Sequence, residues 1–486
     1  MYKMINKKEI VSYLLAKLAE APLLAKEKTQ ENGKKYKYRR AYFRVKKYID
    51  EFLADKDNNR IVMLPGLRGV GKTTLLLQIY NYLISTKKLR QERVLYFSAD
   101  ELREYLGIKI SELIRIYVED ILKTSLVNLN KRIFILIDEA HFDEEWGLAS
   151  KIIYDQTKKV FLLLTGSSAL SMEVSVDLAR RAQKEMMFPM NFSEYLILKY
   201  KLFPPSGTAG SIRELIFRPS DRLLKEAGAL WNKIQRNYLG IKKPLNKEFE
   251  YFMLSGGFPF SINSNEKETY EKIFSMLDRV IERDIFVIKS FKTDTRNVIT
   301  RILSFLVLQK PGGTSDAKLS ERLKVSPSLI RGILETLEKT HLIFSVKPYG
   351  GAGKIVRKPW KYYFLSSSLI SAMRYKLGLY NLVDRNMLGI VGENLVASYF
   401  FRMQKTINMP AGIFYDPEKE GVDFLLQTGT GEIIPVEVKT GKKDSSQIRK
   451  AIVRYNSKYG IVISNDNDVK MQNNVIYIPL ALFSFV

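Results

Sequence analysis

Apolar residues along the first half of this chain gather into short unbroken runs, each closed by glycine or acid. Ile61 to Leu64, "RIFILID" at 132–138 and "VFLLLTG" at 160–166 are such runs. Four to seven apolar residues bounded by turn residues read as strands buried on both faces. After the first run the period changes. Leu75, Leu76 and Ile79 recur at helical spacing, and so do Tyr42, Val45 and Ile49 in an N-terminal arm. Strands alternating with helices predict an α/β fold with a parallel sheet and flanking helices. Further on, "FPPSGTAGS" punctuates the chain and "RLLKEAGALWNKIQRNYLG" is amphipathic, so residues 203–250 read as a helical lid or insertion.

The second half begins with three short helical patterns, "TRNVITRILSFLVLQ", "DAKLSERLK" and "SPSLIRGILETLEKT". In the third, Ser326 is placed to cap and Pro327 to occupy the first helical position. Leu319, Leu323, Ile330, Ile333 and Leu337 supply one apolar face. Two strands follow, separated by the basic, glycine-rich "GGAGKIVRK". This pattern predicts a helix-turn-helix with a wing, which serves either as a DNA-docking shape or as an interdomain connector. Arg331 would face outward on its recognition helix, with Lys354, Arg357 and Lys358 on its wing. The expected divisions are an N-terminal helical arm at 1–57, a P-loop core at 58–200, a helical lid at 201–290, a winged helix at 291–380 and a final α/β domain at 381–486.

Composition narrows the chemistry. Lys and Arg number 78 against 52 Asp and Glu, a net charge of +26. That excess favours a polyanionic partner, nucleic acid before an anionic membrane surface. The absence of cysteine excludes disulfides, thiolate catalysis and cysteine zinc sites, and two histidines are too few for a histidine cluster. Oxygen ligands remain, hence magnesium or manganese. No apolar run reaches the length of a membrane span, and Lys17 and Glu20 interrupt the first segment, so the expectation is a cytoplasmic protein without membrane insertion.

The strongest motif is "GLRGVGKT" at 66–73, between a strand and a helix. Gly66, Gly69 and Gly71 let backbone N–H groups close around phosphates, and Lys72 reaches the β- and γ-phosphates. Thr73 offers its hydroxyl to magnesium, and Thr74 completes the nucleotide-binding turn. Asp138 and Glu139 end an apolar strand, where Asp138 would contact magnesium and Glu139 would activate the attacking water. Thr165 and Ser167 end the next strand and are candidates for sensing the γ-phosphate. Arg180 and Arg181 read as an arginine finger, acting in cis or from a neighbouring subunit, as phosphate contacts, or as surface residues.

These stretches, with "LLTGSSA", "FPMNFSEYL" and "LSGGFPFSI", resemble archaeal and bacterial AAA+-type ATPases that carry a winged helix and a C-terminal domain of uncertain function. The resemblance covers the chain from about residue 40 and departs at Ala179-Arg180-Arg181, where the family has Gly-Arg. It implies ATP and Mg²⁺ as ligands, Arg180 as the finger, and a homo-oligomer.

Near the C-terminus, "GIVGENLVASYFFRM" reads as a helix, "GIFYDPEKEGVDFLLQT" as a hairpin and "IIPVEVKTG" as a strand. Period 2 puts Glu437 and Lys439 on one face. Asp423 lies on the adjacent hairpin strand, and Glu393 on the helix would complete a carboxylate metal site, with Gln447 as a weaker candidate. The ordered set Glu393, Asp423, Glu437 and Lys439 is similar to restriction-endonuclease-like nucleases, archaeal Holliday-junction resolvases especially. It implies catalytic Asp423, Glu437 and Lys439, with Mg²⁺ or Mn²⁺ as the metal. Two functions are therefore expected: a magnesium-dependent ATPase acting on DNA with a nuclease site, or an ATP-controlled switch that binds DNA or protein without cutting.

Overall fold

The computed structural model describes residues 6–56, 59–166, 180–241, 243–285, 295–309, 313–381, 384–406, 412–439 and 445–486. They form two compact units, Met1–Met187 and Phe188–Val486.

In the first unit α1 (Lys7–Thr29) leads into a hairpin of β1 (Gln30–Glu31) and β2 (Lys34–Lys35), then α2 (Arg40–Leu53). The P-loop strand β3 (Ile61–Pro65) follows, with α3 (Lys72–Asn81), β4 (Val94–Ser98), α4 (Ala99–Tyr105), α5 (Ile110–Ile116), β5 (Ile133–Asp138), α6 (Trp146–Gln156), β6 (Val160–Gly166) and β7 (Ala182–Lys184). The five strands β4-β5-β6-β3-β7 lie side by side and all run parallel. Every residue of β3, β5 and β6 is buried, which is why their sequences are continuously apolar.

Helix α1 joins this core because Ile10, Leu14 and Leu18 fall on one stripe and bury against strand residues such as Ile61 and Leu95. Helix α2 buries Tyr42, Val45 and Ile49, the three positions its spacing singled out. It begins only at Arg40, within the segment 1–57 expected as a helical arm. Asn32 and Gly33 adopt positive φ and turn the chain, and the Tyr36 N–H bonds to the Thr29 carbonyl at 2.8 Å, so residues 34–39 are a strand and an extended link.

The second unit opens with helices Phe192–Tyr200, Thr208–Phe217, Asp221–Tyr238, Leu245–Ser255 and Glu266–Arg279. The next three, Thr295–Leu308, Asp316–Leu323 and Pro327–Lys339, match the predicted patterns, and the Ser326 side chain accepts the Leu329 N–H as a cap. Strands β8 (Gly313–Thr314), β9 (Ile343–Pro348) and β10 (Trp360–Phe364) pack beside them as an antiparallel set. The segment expected as an open basic tip instead folds into the short helix Ala352–Arg357, held by the Trp360 indole N–H on the Ile355 carbonyl at 3.2 Å. Lys354 at that tip pairs with Glu418 at 3.1 Å. Arg331 is exposed as expected but already pairs with Asp316 at 2.9 Å.

Strand β9 also pairs, in parallel, with β11 (Gly412–Tyr415), so the sheet continues into the C-terminal part. With β12 (Phe424–Gln427), β13 (Ile433–Lys439), β14 (Gly460–Ser464), β15 (Lys470–Gln472) and β16 (Val475–Pro479) it has nine strands in the order β15-β16-β14-β13-β12-β11-β9-β10-β8. Helix Arg385–Thr406 precedes β11, and helix Ser446–Arg454 links β13 to β14.

Candidate functional site

The loop between β3 and α3 is shaped by two backbone constraints. Gly69 and Gly71 have φ of 82° and 92°, a region open to glycine at no steric cost. Gly66 is required for another reason: a Cβ there would sit 2.3 Å from the Met187 carbonyl oxygen. Lys72, at the start of α3, is buried and donates to the Gly66 and Leu67 carbonyls at 2.9 and 3.2 Å. Arg39, which the sequence reading passed over, donates to the Val70 carbonyl at 2.7 Å and braces the loop from outside.

The end of β5 meets this loop. The Thr73 hydroxyl donates to Asp138 Oδ2 at 2.7 Å. The Thr165 hydroxyl, from the end of β6, donates to the other carboxylate oxygen and accepts the Glu139 N–H at 3.0 Å. The start of α3 and the carboxyl ends of the adjacent strands β5 and β6 thus bring a threonine, an aspartate and a second threonine to one point. Burial first, and the adjacent Glu139 carboxylate second, push the Asp138 carboxyl up to about 6. Glu139 has φ 50° and ψ 41°, a left-handed conformation rare for a non-glycine residue and typical of functional turns. Its carboxylate lies 3.8 Å from Arg68 and 3.4 Å from His141 Nδ1. Thr74 is half-buried on the first turn of α3. Ser167 lies outside the described residues.

The donor set fits a magnesium–nucleotide ligand: a phosphate-sized loop, a buried lysine donating to loop carbonyls, and a hydroxyl and carboxylate already in contact. Thr73 and Asp138 would hold Mg²⁺, which when bound offsets phosphate charge.

Arg180 stands elsewhere. Its neighbour Ala182 is level with Ile61, at the start of β3, while Gly66 is level with Met187. At about 3.3 Å per residue, Arg180 is roughly 20 Å from the P-loop of its own chain. A cis arginine finger is therefore ruled out for Arg180 by strand register. Arg181 pairs with Asp155 at 3.3 Å.

Residues 58–196 match the family model of an AAA domain, and residues 246–381 and 388–483 match two domains of unknown function, DUF8612 and DUF4143. The uncharacterized protein MJ1637 of Methanocaldococcus jannaschii is 33% identical over 473 residues, covering 97% of this chain and 93% of that protein. The chain belongs to the MJ1637 family. An uncharacterized protein of Haemophilus influenzae is 25% identical over 402 residues, covering 80% and 85% of the two chains. Among solved structures, the Aeropyrum pernix ORC1 protein in complex with DNA is 14% identical, covering 69% of this chain and 92% of that one at a TM-score of 0.32. The Thermotoga maritima RuvB Holliday junction branch migration motor is also 14% identical, covering 64% and 89% at 0.28. At these scores neither likeness bears on activity.

The C-terminal candidates are only partly assembled. Phe424 is paired with Val436, which sets Asp423 level with Glu437. Asp423 accepts the Val438 N–H at 2.7 Å. Glu437 and Lys439 are both buried and form an ion pair at 3.3 Å. Glu393 accepts the Tyr363 hydroxyl at 2.8 Å and lies 3.9 Å from Lys361. Gln447 donates to the Gly421 carbonyl at 3.1 Å. Each carboxylate thus faces a hydrogen-bond donor or a cation. Among the described residues no three His, Asp or Glu side chains form a group able to hold a metal. The three-carboxylate metal group expected for Glu393, Asp423 and Glu437 is not found among the described residues. Among the described residues no helix is long and apolar enough to cross a membrane.

Proposed function

We propose that this chain is a magnesium-dependent ATPase that acts on DNA, with ATP state controlling how its second unit engages that partner. The observation that carries the reading is the contact of Thr73, Asp138 and Thr165 at the mouth of the P-loop. Lys72 binds the β- and γ-phosphates, Glu139 orients and deprotonates the attacking water, and Thr165 reads the γ-phosphate end of the site. Arg180 serves a neighbouring copy, and the working form is a homo-oligomer. The charge of +26 and the three-helix, β-stranded segment at 295–364 support DNA, branched or broken, as the partner. The C-terminal part recognises and does not cut, because its carboxylates are matched to Lys439, Tyr363 and the Val438 N–H.

A metal-dependent nuclease is the second reading, favoured by the register that sets Asp423 beside Glu437. One experiment separates them. Phosphate release and cleavage of labelled single-stranded, duplex, forked and four-way DNA are measured with Mg²⁺ or Mn²⁺ for wild type, Lys72→Ala, Glu139→Gln and Glu437→Ala. Hydrolysis lost in the first two variants, with no cutting in any, supports the switch. Cutting that needs Glu437 supports the nuclease. ATP turnover that survives Lys72→Ala overturns the ATPase reading.

A further inference from the structure

The arm before the P-loop strand carries a feature that ATP hydrolysis does not use. From Lys34 to Lys47 it has eight Lys or Arg and no acid, with four aromatics among them. The fold divides those aromatics. Tyr42 is buried with Val45 and Ile49 and belongs to the core. Tyr38 and Phe43 are 41% and 56% exposed, yet they are held in place. Tyr38 stacks on Tyr42 with ring centroids 4.0 Å apart at 14°, and Phe43 meets both rings edge-on, at 6.1 and 5.5 Å. A core ring thus fixes two exposed rings into a ledge. The ledge walls a cleft of about 660 Å³, with Tyr82 and the lysines of α2 on its sides.

Charge around the cleft is not uniform. On its wall Asp50 is already matched by Lys46 at 2.6 Å and Lys87 at 2.8 Å. Lys47 is 72% exposed and only loosely tied to Glu51, at 3.6 Å. Lys34 and Lys35, four and three residues before Tyr38, are exposed. A polyanion entering the cleft therefore meets Lys47 on its wall and finds Asp50 already neutralised, with Lys34 and Lys35 exposed on the strand that leads to Tyr38.

Rigid exposed rings bordered by lysines suit a ligand with flat faces joined by phosphates. In a duplex the base faces are stacked on one another and closed to such rings; in a single strand they are open. We infer that the Tyr38–Phe43 ledge is a binding site for single-stranded nucleic acid. An unpaired base stacks on the rings, and its phosphates lie against Lys34, Lys35 and Lys47. This rests on the DNA reading above and adds the form of the strand and a site outside the P-loop.

The test uses the full-length protein, a fluorescein-labelled 20-nucleotide oligothymidylate and a duplex of the same length, with anisotropy read across a salt series. Stacking contributes about 1–3 kcal/mol per base, so Tyr38→Ala with Phe43→Ala should weaken single-strand binding roughly 10-fold or more and leave duplex binding and ATP hydrolysis unchanged. Phe43→Ala alone, at the more exposed ring, should give part of that loss, and Tyr38→Phe should restore binding. Lys34→Glu with Lys35→Glu should flatten the salt slope. On the wild type, photocrosslinking to an iodouracil oligonucleotide should label the peptide holding Tyr38 and Phe43. Single-strand binding that is unchanged in the ring variants, or crosslinks elsewhere only, overturns the ledge and leaves the DNA reading standing. Loss of ATP binding together with oligonucleotide binding also overturns it, because the ledge would then be part of the ATP pocket. Binding of neither strand form by wild type removes the DNA reading itself, and the ledge with it.

Discussion

The Thr73 hydroxyl donates to Asp138 at 2.7 Å across 65 positions of sequence. That contact joins the P-loop to the end of β5 and leaves Asp138 buried with Glu139 at its side. The burial has a consequence for stability. The folded protein favours the protonated carboxyl, since its value rises from 3.8 to about 6. The stabilisation of this protonated form is fully present below the unfolded value and is lost as pH rises through about 6.

Asp138→Asn should therefore remove a penalty as well as a ligand. With chelator present and no nucleotide, the variant should melt higher than wild type at pH 7.5, by about 2–4 °C for each kcal/mol recovered. The difference should shrink toward pH 4. ATP hydrolysis should fall at least about 100-fold, the scale of losing a charge-stabilising group at a reacting phosphate. Differential scanning fluorimetry across pH reads the first effect. A lower melting point at pH 7.5 would contradict the assignment.

Gly66→Ala should damage the site without touching a ligand group. The new Cβ would meet a backbone oxygen at 2.3 Å, so either the loop or the segment bearing Met187 must move. Nucleotide affinity, measured with a fluorescent ATP analogue, should drop at least about 10-fold, because a shift of one ångström misplaces the phosphate donors.

Arg39→Ala should loosen the loop from outside. One hydrogen bond from a charged donor contributes about 1.5–3 kcal/mol, so nucleotide should bind roughly 10-fold more weakly. Arg39→Lys should not fully restore binding, since an ammonium lacks the planar reach of the guanidinium. Calorimetric titration with ATP measures both variants.

In the second unit, Glu248 is fully buried and receives Lys199 at 2.8 Å, Lys243 at 2.9 Å and the Tyr195 hydroxyl. Burial alone would raise its carboxyl, but hydrogen bonds from Lys199, Tyr195 and Lys243 outweigh it and bring the value down to about 2. Its stabilisation is present above the ordinary value of 4.5 and is lost as pH falls through about 2. Glu248→Ala should destabilise this unit by about 1–3 kcal/mol, because it removes the buried acceptor of the Tyr195 hydroxyl, while Lys199 and Lys243 keep access to solvent. Urea unfolding followed by fluorescence checks it.

The Glu437–Lys439 pair gives a double-mutant test. Either residue changed alone should destabilise by about 3–5 kcal/mol, while Glu437→Gln with Lys439→Met together should recover most of that loss. A metal site would behave differently: Mg²⁺ or Mn²⁺ would raise the melting point of wild type more than that of Glu437→Gln, and no such difference is expected here.

The ATP-site motifs were legible because their chemistry is local. Eight residues from Gly66 to Thr73 carry the loop, and one strand end carries Asp138 and Glu139. The same holds for helices whose apolar stripe or cap is written in consecutive residues, such as Pro327–Lys339 with Ser326 before it. Arg39 was not legible. Its role depends on an extended link returning to the loop, and one arginine among eight basic residues carries no mark of that.

By itself the sequence determined the central strands and the longer amphipathic helices, that β3, β5 and β6 are buried on both faces, and that a phosphate-binding turn follows the first of them. These are consequences of periodicity and turn geometry, which act over a few residues. Only the tertiary structure decided that Arg180 lies roughly 20 Å from its own P-loop, by the rise along a strand. It alone decided that β9 pairs with β11 to carry one sheet across nine strands. It also set Glu393, Asp423 and Glu437 against a hydroxyl, an N–H and a lysine. Such outcomes depend on strand order, register and the choice of partner for each buried charge, and these are settled between residues far apart in the chain.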